Sequence, residues 1–202
     1  MKSCLGSLRQ SLEEGACGLS FGLGYDPGMY SPEEEIVAFS TVAAKAKKPV
    51  TVHLKTYCRL SGVYSPLYTK PHNLRAIKEM IHIARRTGIS LQVSHLMLMF
   101  RSTWPLVDEC LEMIESARRD GVDIMINAIP DCTLNGSIAT QLPPWFIAKL
   151  PAGYKSWRAR TRLQIENPIG YRRMGYSFES IQLMDAAVEG WDDLSGLTVP
   201  EI

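Results

Sequence analysis

Two histidines stand at matching places in two apolar runs, His53 in VTVHLKTY and His95 in LQVSHLML. Neutral imidazole is a standard donor to zinc, manganese or iron, and a strand holds such a ring in a set direction. If the two runs are neighbouring parallel strands, both rings reach the same rim of one sheet, where parallel barrels bind substrate. The pattern therefore points to a divalent-metal site with His53 and His95 as ligands, zinc or another divalent metal being the cofactor. A single strand histidine is ordinarily a core imidazole satisfied by a backbone carbonyl, but repetition at a second strand end weighs against that reading. A catalytic zinc takes three protein ligands and a water. The third is not evident: Asp123 precedes its run, and Asn127 and Asp131 are weak candidates beyond it.

The other histidines read as structural. His72 opens a helix in KPHNLRAIKE, and His82 lies within the amphipathic stretch that follows. Cys17 and Cys110 read as small core hydrophobes. Cys58 and Cys132 fall in loops at the same rim as the histidines, so a Cys/His hydrolase is the alternative chemistry, although no cysteine stands at a helix N-terminus that would lower its pKa.

The elements that must carry His53 and His95 alternate regularly. Leu5, Leu8 and Leu12 mark a helix closed by Gly15, and ACGLSFG (16–22) is a short strand. SPEEEIVAFSTVAAKAKK (31–48) has Ser31 as N-cap, Pro32 at the first helical position, glutamates in the first turn and lysines in the last. VTVHL is the second strand. HNLRAIKEMIHIARRTG is helical, with Gly88 as its cap. ISLQVSHL is the third strand, residues 103–121 a further helix, and VDIMINAIP (122–130) the fourth strand. Helices alternating with near-continuous apolar strands imply a parallel sheet with helices outside it. Neither GxGxxG nor GxxxxGK[ST] occurs, so of the two parallel architectures the doubly wound nucleotide-binding sheet loses to a (β/α)8 barrel. Four to five strands make only part of such a barrel. We read residues 1–142 as the partial barrel, 143–179 as an insertion or lid, and 180–202, with a strand at 180–186, as a return to the barrel.

Composition narrows the partners. A formal net charge of +1 and no basic run longer than KAKK give no electrostatic footprint for nucleic acid or an anionic membrane. No stretch of about 18 apolar residues spans a membrane, and the first residues lack an apolar signal core. Five scattered cysteines without CxxC spacing suit a reducing, cytoplasmic setting.

The sequence also resembles a known family. EGACGLSFGLGYDPGMYSPEEEIVAFSTVAAK, VTVHLK, NLRAIKEMIHIARRTGISLQVSHL, IESARRDGVDIMINAIP and LPPWF are similar to N-acyl-D-amino-acid deacylases (D-aminoacylases) of the amidohydrolase superfamily. The resemblance runs continuously over residues 5–147. It implies a metal-dependent (β/α)8 barrel, hydrolysis of amide C–N bonds in small molecules, and His53 and His95 as zinc ligands. The family's HxH motif, its early cysteine ligand and its late water-activating aspartate are absent from this chain, so the resemblance implies a middle segment. A remnant without catalysis, or a component completed by a second polypeptide, is the alternative expectation. Met97 stands where the family often has a substrate-binding lysine, and Asp131 ends the IPD that replaces YPY. Lys55 and Arg101 are candidate replacements for the missing cation. Tyr25, Tyr30 and Trp145 are candidate pocket walls. Open barrel edges predict self-association.

Overall fold

Four parallel strands pair in chain order, β1 (Leu19–Gly22), β2 (Val50–His53), β3 (Leu91–Val93) and β4 (Ile124–Ile126). The computed structural model describes residues 2–65, 67–130, 135–136, 142–175, 177–184 and 190–202. The chain divides into two units, Met1–Gln141 and Leu142–Ile202. The first contains the sheet with helices α1 (Lys2–Glu13), α2 (Glu33–Lys45), α3 (His72–Thr87) and α4 (Val107–Arg119). A doubly wound sheet reverses its strand order at a switch point. Here each strand pairs with its sequence neighbour and the order never reverses, which is barrel topology.

Alternation along the strands sorts their side chains. Val50, Val52, Leu91, Val93 and Ile124 are buried against Ile36, Ala43, Ile77, Met80, Ile81 and Ile114 of the helices. On the opposite face Ser20, Thr51, Gln92 and Met125 form one row by register. That is the face a closed barrel turns inward. Among the described residues β1 and β4 are sheet edges, and at β4 Met125 and Ile126 are 52% and 37% exposed.

Local signals account for the helices. Glu33, Glu34 and Glu35 occupy the positive first turn of α2 and Lys45 its last. The cap differs from expectation: Pro32 is the N-cap and Ser31 lies outside it, because the carbonyl of Pro32 already accepts the first helical bonds. Gly88 closes α3 with φ 71°, a left-handed conformation that glycine adopts without a steric penalty. Helix α4 begins as a 3-10 turn, Trp104–Leu106, that accommodates Pro105. Cys110 is buried as expected, but Cys17 is exposed ahead of β1 and is not a core residue.

The second unit is helical, with α5 (Pro144–Ile147), α6 (Ala152–Lys155) and α7 (Trp157–Met174). Phe146 is buried with its ring edge-on to Trp145 and Tyr154. Ser156 caps α7 by accepting the Ala159 N–H, and Gly175 ends it with φ 93°. Sequence periodicity missed α7 because Trp157, Ile165 and Ile169 are exposed and leave no buried stripe to detect. The strand expected at 180–186 is, in its described part, a single antiparallel bridge from Gln182 to Thr198. No described helix is long and apolar enough to cross a membrane.

Candidate metal centre

His53 is the last residue of β2 and follows the buried Val52, so its ring leaves on the open face of the sheet. The register pairs Val52 with Val93. Continued one step, it sets Ser94 beside His53 and assigns His95 to the helix face. His95 does not continue the strand. It lies two residues beyond β3 with φ 35°, and this left-handed turn brings the ring over. His95 Nε2 is 2.7 Å from His53 Nδ1, with ring centroids 4.8 Å apart. The two positions that match in sequence are thus unlike in backbone.

Asn127, just past β4, holds the turn. Its side-chain oxygen accepts the His95 N–H and its carbonyl accepts the Leu96 N–H at 2.7 Å. It takes main-chain donors rather than a metal. Tyr57 stands behind the pair, its ring centroid 5.0 Å from that of His53 and 5.5 Å from that of His95. Tyr25 meets His53 edge-on at 5.1 Å. A Cβ on Gly24 would lie 2.6 Å from His53 Nε2, and one on Gly22 would collide with the Tyr25 ring, so the GLGY loop fits His53 only because these residues lack side chains.

Burial, and secondarily the neighbouring His95, lowers the pKa of His53 to about 4. Burial also lowers that of His95. Both rings are therefore neutral near pH 7, the form that donates to a metal. The donor type suits zinc, and the two nitrogens already converge. Among the described residues no group of three His, Cys, Asp or Glu comes together, and His53 and His95 are the two candidate donors that converge.

The remaining candidates disperse. Lys55 turns to Glu79 on α3, 3.6 Å away, where Arg75 and the Tyr64 hydroxyl also bind. Tyr30 is exposed in the 3-10 turn Gly28–Tyr30. Met97 packs half-buried against the core, and the Arg101 guanidinium lies 6.0 Å over the Trp104 ring. Trp145 belongs to the second unit, where its indole N–H donates to Glu166 at 2.9 Å and Arg162 stacks on its face at 4.1 Å. Asp131 and Cys132 lie outside the described residues. Cys58 is buried and its thiol is pushed up to about 11, which leaves it protonated and a poor nucleophile. Among the described candidates for the pocket, only Tyr25 touches the histidine pair. Sequence reasoning missed Tyr57 and Gly24, since neither carries a periodic or ligand signal.

A consecutive parallel sheet with helices on one face is the arrangement of a segment of an α/β barrel. The chain resembles a middle segment of the N-acyl-D-amino-acid deacylases. It is 30% identical over 123 residues to an N-acyl-D-glutamate deacylase of Alcaligenes xylosoxydans xylosoxydans, covering 61% of this chain and 23% of that protein. A crystal structure of N-acyl-D-glutamate deacylase from Bordetella bronchiseptica, complexed with zinc and a phosphonate inhibitor, superposes with TM-score 0.56 at 29% identity, covering 64% of this chain and 25% of the other. D-aminoacylase superposes with TM-score 0.54 at 21% identity over 65% of this chain and 26% of its own, a likeness of fold. No family model matches the chain. It spans about a quarter of the length of these relatives.

Proposed function

We propose that this chain is part of a metal-dependent amidohydrolase that cleaves the amide C–N bond of N-acyl-D-amino acids, with His53 and His95 as two of its metal ligands. The observation that carries the reading is the 2.7 Å approach of two neutral imidazoles on the rim of a parallel sheet. The 30% identity to a deacylase supplies the reaction class. Zinc, when bound, polarises the amide carbonyl and lowers the pKa of its water from 15.7 toward about 7. This chain's residues would do the holding: the converging His53 Nδ1 and His95 Nε2 would both be free for a metal once each neutral ring carries its proton on its other nitrogen, Tyr25 walls one side of His53, and the glycine loop admits the ring. The engagement of Lys55 by Glu79, and Met97 in place of a cation, favour an N-acyl substrate carrying fewer negative charges than an N-acyl-D-glutamate. The free state of Cys4, Cys17, Cys58 and Cys110 supports a reducing, cytoplasmic setting.

The test is zinc per chain together with hydrolysis of a panel of N-acetyl-D-amino acids, wild type against His95→Ala, in the whole-length polypeptide that carries this chain. Loss of zinc and of hydrolysis supports the assignment. Retention of both in His95→Ala overturns it.

The convergence of only two donors among the described residues favours one second reading, a component that needs another polypeptide to complete the site. It predicts no hydrolysis by this chain alone and recovery on addition of the missing strands.

A further inference from the structure

We infer that Tyr57 is a positioning residue for the His53–His95 pair, its hydroxyl lacing together the chain beside each histidine and its ring backing both imidazoles. The inference rests on the reading of that pair as metal ligands and adds what aims them. Tyr57 is 2% exposed, and both hydrogen-bonding capacities of its hydroxyl are used. It accepts the N–H of Leu54, the residue after His53, at 3.0 Å, and donates to the carbonyl of Ser94, the residue before His95, at 2.9 Å.

These bonds fall where the ladder between β2 and β3 stops. Its last rung is the Ser94 N–H to the Val52 carbonyl, at 3.0 Å. The carbonyl of His53 faces the other way and accepts the Leu23 N–H, also at 3.0 Å. Beyond that rung the Tyr57 hydroxyl joins the two chains. His95 then leaves the strand in its left-handed turn, so the Ser94 carbonyl is the last point at which that turn is anchored to β2. Partners one shell out that orient metal-binding imidazoles typically change affinity 10–100-fold when removed.

Tyr57→Phe removes the hydroxyl and keeps the ring. The experiment compares wild type and Tyr57→Phe by long-range 1H–15N correlation of the imidazole nitrogens in the metal-free chain, by zinc titration, and by thermal melting. In wild type we expect two imidazoles locked in defined tautomers by their mutual hydrogen bond. In Tyr57→Phe we expect tautomer-averaged shifts and zinc affinity lower by about tenfold or more, with a cooperative melt retained. Unchanged imidazole shifts and zinc affinity in Tyr57→Phe overturn the inference. If wild type binds no zinc, the two histidines do not make a site without further ligands, and the metal-free imidazole shifts still decide the role of Tyr57. If Tyr57→Phe does not fold, the wild-type spectrum decides. A hydroxyl proton protected from exchange, with nuclear Overhauser contacts to the Leu54 amide and both histidine rings, supports the role; a freely exchanging hydroxyl overturns it.

Discussion

His53 Nδ1 and His95 Nε2 lie 2.7 Å apart although strand alternation assigns them to opposite faces of the sheet. The parity is broken at one residue, where φ of His95 is 35°. A left-handed backbone at a residue other than glycine costs about 1–3 kcal/mol and persists where its surroundings over-determine it. Asn127 and Tyr57 are those surroundings, and a ring redirected onto its partner is what the distortion achieves.

The turn makes a prediction that separates stability from the site. Glycine adopts φ 35° freely and alanine does not, so His95→Gly should be more stable than His95→Ala by about 1 kcal/mol. Both lose the imidazole pair. Denaturant midpoints of the two variants check it, and equal midpoints would mean that residue 95 is not left-handed.

Stability should fall with acidity over a defined window. The folded pKa of His53 is depressed to about 4 from 6.5, so the folded chain holds fewer protons than the unfolded one between those values. The imidazole contribution is therefore complete above about pH 6.5 and lost as pH falls toward 4. The lowered pKa of His95 acts in the same direction. Chemical unfolding at pH 7.5 and 4.5 should show a larger loss in wild type than in His53→Gln. An identical loss would mean that His53 is not buried neutral.

Gly24→Ala places a methyl group 2.6 Å from His53 Nε2 and 2.9 Å from the Leu54 carbonyl oxygen. Overpacking of this kind costs about 1–3 kcal/mol. We expect that loss in urea unfolding, with displaced imidazole resonances; a neutral effect on both would show that the loop is not seated on His53.

Ile77 on α3 is 1% exposed within the core beneath the sheet. Ile77→Ala should destabilise the first unit by about 2–5 kcal/mol through lost burial and the cavity left behind. A midpoint unchanged within error would contradict the helix-on-sheet packing.

Strand β4 leaves its outer edge unpaired among the described residues, with Met125 and Ile126 exposed beside it. Such edges associate, and charges on them block association. Sedimentation velocity should show concentration-dependent self-association, weakened by Ile126→Lys. A monodisperse monomer at high concentration would count against it.

Much of the fold was legible in the residues alone. Apolar runs such as VTVHL, the acidic start of α2 and Gly88 after α3 are local signals, because capping and burial periodicity act within a few residues. They determined the alternation of elements, the barrel reading and the selection of His53 and His95. Helix α7 escaped because exposed isoleucines and arginines carry no stripe, and the run at 180–186 forms only a bridge in its described part, because a short apolar run does not say whether a partner strand is near. Tertiary structure alone decided how the site is assembled. A left-handed turn at His95, a hydroxyl four residues past His53 and an amide from the next strand meet only when three chain segments are brought together, and no local pattern encodes a contact between residues 57 and 94. The two imidazoles were written in the sequence; their aim came from hydrogen bonds that exist only in the folded rim.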